Sequence, residues 1–228
     1  MRTLLLIATI LFSITVAKAQ GFFFPSKVGT VLEYKSYDKK EKETGTIRYT
    51  ITDLKSEGDN MDITYLIESI DAKEKLQFKE ELTIHKKGDK LYLDMSSFLR
   101  KVAFQKAGDK ADKIEITGND MEIPSNIKPG DILPDSNVDI AMKMGFINIK
   151  MSANVTERKV EAFEKVAVKA GNFEAYKITS MVSSNAMGMK TNSPTTEWLV
   201  KGIGMVKSVT YDKKGNVNSY TELISIKE

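Results

Sequence analysis

The stretch IRYTITDLKSEGDNMDITYLI, residues 47–67, decides the fold class. Apolar side chains recur in it at every second position, which is the spacing that places them on one face of a pleated strand. The alternating residues are Ile47, Tyr49 and Ile51 in the first run, and Met61, Ile63, Tyr65 and Ile67 in the second. The stretch therefore predicts two strands, each with one polar face.

The same alternation continues along the chain, from Leu76 to Ile84 and again from Val166 to Ile226. Turn-forming triplets that contain glycine separate the runs, at residues 87–89, 170–172 and 214–216. Glycine and asparagine tolerate the positive φ angles of tight hairpins, so these triplets predict strand reversals. The sequence predicts an all-β protein of mostly antiparallel strands that form a curved sheet or an open barrel.

Two segments depart from the alternation. Ser96 or Ser97 could cap one short helix that ends before Gly108, with an apolar stripe formed by Phe98, Leu99, Val102, Ala103 and Phe104. Residues 123–137 contain three prolines and a glycine, which predicts a long irregular crossing between two sets of strands. Because each flanking set resembles an incomplete sheet, we expect residues 20–228 to form a single β-rich domain.

The first nineteen residues have the form of a signal peptide. Arg2 precedes an apolar run from Leu4 to Ala17, and Ala17 and Ala19 occupy the positions that a signal peptidase reads. The run is shorter than the roughly 20 residues of a membrane span. No cysteine follows the predicted cleavage site, so we expect no lipoprotein anchor. The prediction is a soluble exported protein, periplasmic or extracellular, without a transmembrane span after signal removal.

The residues that carry common chemistry are few. The chain has one histidine, His85, and no cysteine, and no nucleophile elbow precedes a predicted helix. We therefore expect no catalytic site, no metal site and no cofactor. The formal net charge is only +3, with Arg2 and Lys18 contributing from the signal segment, whereas nucleic-acid binders are usually more basic. We expect no nucleic-acid partner.

Methionine is the unusual component, with eleven residues in the chain. The sequence places methionines and one phenylalanine close together in two segments, as a candidate apolar groove: Met142, Met144, Phe146, Met151, Met187 and Met189. If the two segments pair, both faces of part of one hairpin would be apolar, because Ile147 and Ile149 fall on the alternate positions. Three interpretations remain open: filling of an irregular core, an adaptable cleft for an apolar ligand, and thioether binding of Cu(I).

The C-terminal half resembles a known family. The segments RKVEAFEKV at residues 158–166, AGNFEAYKI at 170–178 and KGIGMVK at 201–207 are similar to those of the TapB-like exported bacterial proteins, a family catalogued as a domain of unknown function. The resemblance is strongest over residues 120–226. It implies a curved, largely antiparallel sheet or open barrel in an envelope protein, and it transfers no catalytic residues.

These observations lead to two functional hypotheses from different classes. The first is a non-enzymatic module that binds an apolar ligand, such as a lipid, an acyl chain or a hydrophobic peptide, in the candidate groove. The alternative is a structural or assembly partner of another envelope protein, joined through an exposed β edge. An enzyme is the third and least supported reading, because the chain lacks a nucleophile motif.

Overall fold

The computed structural model describes residues 21–94, 96, 113–144, 147–186 and 189–228, and these form thirteen strands. The strands are β1 (Val31–Asp38), β2 (Glu43–Glu57), β3 (Asn60–Asp71), β4 (Leu76–Lys87), β5 (Lys90–Leu93), β6 (Lys113–Gly118), β7 (Met121–Pro124), β8 (Ser136–Met144), β9 (Ile147–Val168), β10 (Gly171–Ala186), β11 (Met189–Val200), β12 (Gly204–Tyr211) and β13 (Val217–Lys227). The prediction of an all-β fold is confirmed. The helix predicted before Gly108 lies outside the described residues.

All thirteen strands belong to one antiparallel sheet, in the order β6-β8-β9-β10-β11-β12-β13-β1-β2-β3-β4-β5-β7. The two edge strands, β6 and β7, are joined by Asn119 and Asp120 alone. A flat sheet of this size would hold its edges about 58 Å apart, whereas two linking residues span at most about 11 Å. The sheet must therefore curl until the end of β6 and the start of β7 come together at this link, as the predicted curved sheet requires, while no hydrogen-bonded ladder joins the two strands along their length.

The corner between β6 and β7 is held by Asn119. Its side chain accepts a hydrogen bond from the Asn137 backbone N–H at 2.8 Å and donates one to the Asp135 carbonyl at 2.9 Å. Gly118 has φ +148°, and a Cβ there would lie 2.2 Å from the Asn137 carbonyl oxygen. Only glycine lets the chain end its ladder with β8 at this point and continue into β7, which pairs with β5.

Two clusters of buried side chains form the core. The larger cluster contains Phe22, Phe23, Ile51, Ile63, Ile84, Leu91, Ile123, Ile127, Leu133, Val160, Ile178 and Leu199. The smaller cluster contains Leu32, Tyr34, Val166, Ala175, Val206 and Leu223. The irregular crossing predicted for residues 123–137 is shorter in the structure, because β7 ends at Pro124 and β8 begins at Ser136. Between them the chain carries only an isolated bridge from Ile132 to Lys159, and Ile127 and Leu133 anchor it in the core.

The segment just after the predicted cleavage site covers one end of the larger cluster. Phe22 and Phe23 are buried, and the Phe22 carbonyl accepts a hydrogen bond from the Gly202 N–H at 2.8 Å. Gly204 has φ +98°, and its missing Cβ leaves room for the Phe23 carbonyl oxygen. Gly202 and Gly204, at the turn between β11 and β12, therefore also contact the N-terminal segment.

Three hairpins share one turn geometry. Asp38, Asp71 and Asp212 each accept two backbone N–H bonds from the residues two and four positions later. These donors lower the pKa of each carboxyl below its ordinary value. The Asp-Lys-Lys sequence, which occurs at residues 38–40 and again at 212–214, thus lies at a hairpin turn of the same geometry in both places.

Replacing Glu41 and Glu74 by glycine should stabilise the protein. Both residues adopt positive φ, at 60° and 61°, where the third hairpin has Gly215 at 81°. The left-handed region is strained for a residue with a Cβ, so we expect each substitution to raise the free energy of unfolding by about 0.5–1 kcal/mol. Urea denaturation measures the change, and Lys40→Gly is the control, because Lys40 lacks a positive φ. A loss of stability in Glu41→Gly and Glu74→Gly would contradict the assignment.

Candidate functional site

The pairing of β8 to β11 brings the two methionine segments together at one end of the sheet. Met151 of β9 lies opposite Ile140 of β8 on one side and Ala186 of β10 on the other. Ala186 in turn lies opposite Met189 of β11. Directly opposed residues of antiparallel strands point to the same face. With Ile116 of β6, which lies opposite Ile140, the row crosses five strands without a polar position.

A second apolar row runs beside the first on the same face, through Ile114, Met142 and Ile149. We call the two rows together the methionine face; its residues are Ile114, Ile116, Ile140, Met142, Ile149, Met151, Ala186 and Met189. The exposure of this face changes across the strands. Ile140 and Met142 are buried at 6% and 9%, Met151 is half-buried, and Met189 is 71% exposed.

One expectation about these segments is wrong. Ile147 and Ile149 do not make the opposite face of the hairpin apolar, because β8 ends at Met144 and β9 begins opposite it at Ile147. The reversal puts Ile149 opposite Met142, on the same face. The opposite face is polar instead. It carries Thr117, Asp139, Ser152 and Asn185 in one row, so the end of the sheet has one apolar and one polar side.

The polar face contains a shallow pocket of about 370 Å³. Its lining includes Glu115, Thr117, Asp139, Lys150 and Asn185. The Oδ1 atom of Asn185 is buried without a hydrogen-bond partner among the described residues. This pocket lies on the strands that carry the methionine face, on the opposite side of the sheet.

On β10 and β11, hydroxyl side chains lie between the methionine face and the larger core cluster. Along β10 the residues that share a face run from Ile178, in the larger core cluster, through Ser180, Val182 and Ser184 to Ala186. Ser184 lies opposite Thr191 of β11, and their hydroxyl oxygens are 2.6 Å apart. On β8, by contrast, the buried Val138 continues the apolar row of Ile140 and Met142, although neither core cluster of the described residues includes these two.

The remaining predicted groove positions are placed only in part. Met144 lies opposite Ile147 at the end of the β8–β9 ladder, which puts it next to the methionine face in the backbone register. Phe146 and Met187 lie outside the described residues. The prediction that all six residues line one groove therefore stays a prediction.

A buried arginine lies at the centre of the fold. Arg158 of β9 is 3% exposed, and its Nη1 donates to the carbonyls of Glu122 at 2.9 Å and Pro134 at 2.6 Å. The side chain thus joins β9 to the edge strand β7 and to the segment just before β8. Burial lowers the pKa of Arg158, while the nearby carboxylates of Glu197 and Asp135 act in the opposite direction.

Glu197 shares the interior with this arginine. Burial raises the pKa of Glu197, and the positive charge of Arg158 partly counters that rise. The Glu197 carboxylate and burial together raise the pKa of Tyr49 to about 12. Glu197 lies opposite Ile178, so the sheet presents this acid on the same face as the larger core cluster.

His85 has no metal partner set. Its Nδ1 lies 2.7 Å from an Asp62 carboxylate oxygen, across the β3–β4 ladder. Within the described residues no group of three or more histidine, cysteine, aspartate and glutamate side chains could hold a metal ion. Among the described residues we find no helix that is long and apolar enough to cross a membrane.

A family model described as DUF3108-like matches residues 27–223 of this chain. The chain belongs to the DUF3108-like family. The match agrees with the resemblance to a family of unknown function that the C-terminal motifs indicate, while the specific TapB-like name stays a prediction. No curated protein matches the sequence.

Two solved structures share the fold of this DUF3108-like protein. One is a proposed exported protein with a YmcC-like fold from Bacteroides fragilis, at 21% identity and a TM-score of 0.73, covering 91% of this chain and 99% of that chain. The other is a proposed lipoprotein from Parabacteroides distasonis, at 19% identity and a TM-score of 0.73, covering 90% and 98%. At these identities the likeness establishes the fold.

Sequence reasoning missed two features of the DUF3108-like protein. The first is the buried aromatic segment at Phe22 and Phe23. In the sequence it is visible only as a short apolar run just after the predicted cleavage site. The buried Arg158 had no signal, because arginine usually lies on the surface and its acceptors are backbone carbonyls distant in sequence.

The stability of this DUF3108-like protein should fall as the pH rises through the pKa of Glu197. Its folded-state pKa lies above the ordinary value, so between the two values the folded state binds more protons than the unfolded state. This contribution is present below the unfolded pKa and is lost as the pH rises through the folded pKa. Urea denaturation at a series of pH values should show that, as the pH rises, the free energy of unfolding of the wild type declines relative to that of Glu197→Gln. Parallel stability profiles for the two proteins would contradict this assignment.

Proposed function

We propose that this protein is an exported, non-enzymatic binding module that holds an apolar ligand against the methionine face. The ligand class is a lipid, an acyl chain or a hydrophobic peptide. The observation that carries the proposal is the 71% exposure of Met189 at the end of an apolar row whose centre is buried. Such a row offers a ligand an apolar surface that continues into the protein.

The side chains of this face suit an adaptable site. Methionine is unbranched and polarisable, so it conforms to ligands of different shape. Each methylene of a ligand that leaves water contributes about 0.8 kcal/mol. The hydroxyl groups of Ser184 and Thr191 border the face, where they could orient a polar head group while the apolar part lies on Met151 and Met189.

Export is supported by the predicted signal peptide in residues 1–19 and by the descriptions of the two fold neighbours as a proposed exported protein and a proposed lipoprotein. The proposal of a non-enzymatic role is supported by the absence of a nucleophile motif and by the pairing of the single histidine, His85, with Asp62.

The test is native mass spectrometry of the protein purified from its own envelope, followed by titration with the apolar fluorophore N-phenyl-1-naphthylamine. We expect a co-purifying apolar species and fluorescence enhancement. Met189→Glu should weaken both, because it places a charge at the exposed end of the apolar row. Leu76→Glu is the matched control, since Leu76 is an exposed apolar residue on another strand, β4, with 50% exposure.

A clean apo mass together with no fluorescence enhancement would contradict the proposal. Equal binding by the wild type and Met189→Glu would place any ligand elsewhere. Circular dichroism of each variant establishes that the sheet is intact, so that lost binding is separated from lost folding.

A second candidate function is assembly with another envelope protein through the edge of β6. Within the described residues β6 has one strand neighbour, β8, and an edge strand can accept a further strand. A photo-reactive amino acid at the exposed Thr117 of β6 should then give an adduct in the envelope, whereas the same group at the exposed Asn172 of β10 should not. Equal labelling at both positions would count against this function.

A further inference from the structure

Another pocket lies on the strands β2 to β5, away from the methionine face in the order of the sheet, and its mainly apolar and aromatic lining also includes Thr83 and Asp94. Its volume is about 170 Å³. The side chains used in the argument below are Tyr49, Tyr65, Ile67, Leu82, Ile84 and Leu93. We call this the tyrosine pocket. It is lined by none of the predicted groove residues.

The register explains why these side chains face one space. Tyr65 lies opposite Leu82, Tyr49 lies opposite Ile67, and Ile84 lies opposite Leu93. Each opposed pair shares a face of the sheet. Ile67, Leu82 and Ile84 are buried at 8%, 7% and 2%, so packing fixes the walls of the pocket.

The two tyrosines are held by aromatic neighbours. The rings of Tyr49 and Tyr65 meet edge to face, with centroids 5.5 Å apart at 88°. Tyr34 contacts Tyr49 at 5.4 Å, and Phe24 contacts Tyr65 at 5.3 Å. This arrangement is typical of stable aromatic packing, and it fixes the positions of both rings.

Tyr49 and Tyr65 also bring two phenol groups to the pocket. The hydroxyl of Tyr34 donates to the Met205 carbonyl at 2.9 Å, whereas neither Tyr49 nor Tyr65 has a phenol hydrogen bond within the described residues. Burial raises the pKa of both, so both phenols stay protonated at neutral pH. Both tyrosines are half-buried and line the pocket, so their hydroxyls can donate to a ligand there.

The size of the pocket limits the occupant. An apolar cavity of about 150 Å³ in another protein holds one benzene molecule. Pockets for drug-sized ligands are larger, roughly 300–1,000 Å³. The tyrosine pocket therefore has room for one ring with a small substituent.

We propose that the tyrosine pocket binds a single aromatic ring that carries a carbonyl acceptor, with the phenols of Tyr49 and Tyr65 donating to that acceptor. The apolar walls from Leu82, Ile84 and Leu93 hold the ring. This site goes beyond the proposed function and does not depend on the methionine face.

The experiment is fluorine NMR of two probes, 4-fluoroacetophenone and 4-fluorotoluene, with the full protein. Both probes should bind the wild type, since both have the ring. Leu82→Phe, which fills the pocket, should weaken both by about ten-fold. Tyr49→Phe and Tyr65→Phe keep the ring and delete the donor, so each should weaken 4-fluoroacetophenone by about five-fold and leave 4-fluorotoluene unchanged.

Leu93→Phe is a second filling variant at a partly buried position, should Leu82→Phe fail to fold. Met189→Glu should bind both probes as the wild type does, so loss of the proposed function and loss of this site are distinguishable. No binding of either probe to the wild type would overturn the proposal. Equal binding by the wild type and a folded filling variant would also overturn it, and equal binding of 4-fluoroacetophenone by both tyrosine variants would overturn the role of the phenols.

Discussion

Arg158→Ala should lower the free energy of unfolding by about 3–5 kcal/mol, the loss expected when a buried charged residue and its hydrogen bonds are removed. The substitution leaves the carbonyls of Glu122 and Pro134 without their donor and removes the positive charge nearest to Glu197. Because the Glu122 carbonyl belongs to β7 and the Pro134 carbonyl to the segment just before β8, we expect the loss to act close to the link between the two edge strands. Guanidinium denaturation measures it.

Two variants separate the possible causes of that loss. Arg158→Met retains much of the side-chain volume and deletes the donors, so it should lose about 2 kcal/mol from the unpaired carbonyls alone. Lys159→Ala changes the neighbouring exposed residue and should alter stability by less than about 0.5 kcal/mol. A stable Arg158→Ala variant would show that Arg158 does not hold the edges together.

Phe23→Ala should also be strongly destabilising, by about 3–5 kcal/mol. Phe23 is 3% exposed, and its ring contacts Tyr176 at 5.6 Å, nearly perpendicular. The loss would leave a cavity beneath the N-terminal segment and weaken its contact with the turn at Gly202 and Gly204. Thermal unfolding followed by circular dichroism measures the effect.

Phe163→Ala is a matched control for this prediction. The Phe163 ring contacts the same Tyr176, at 4.7 Å, but Phe163 is 50% exposed. Its removal should cost about 1 kcal/mol or less, since little apolar area returns to water. Equal losses for Phe23→Ala and Phe163→Ala would indicate that the ring contact, and not burial in the core, accounts for the stability.

Local sequence was sufficient to predict the strands and most hairpins. Alternation through Ile47, Tyr49 and Ile51 depends only on the two-residue period of a strand, and the turn at Gly88 depends on one residue that accepts positive φ. Both signals lie within a few residues, so no knowledge of distant contacts is needed to see them.

The faces of the methionine segments could not be predicted in the same way. The placement of Ile149 with Met142 depends on the position of one reversal, and moving that reversal by one residue would exchange the faces. The tyrosine pocket depends on register between Tyr49 and Ile67 across a long hairpin, and Arg158 depends on carbonyls from two distant segments. These features arise from tertiary pairing, which a single sequence does not display.

The place of β1 in the sheet has a consequence for the order of folding. Strands β1 to β5 and strands β8 to β13 form two separate meanders, and the β1–β13 ladder joins them, with Val31 opposite Lys227. This contact spans nearly the whole chain, and pairings of such high contact order form slowly. For a chain threaded through an export channel from its N-terminus, the first meander would emerge with an unpaired edge at β1 and would wait for β13. Formation of the β1–β13 ladder is therefore the step at which a chaperone would have the most to protect.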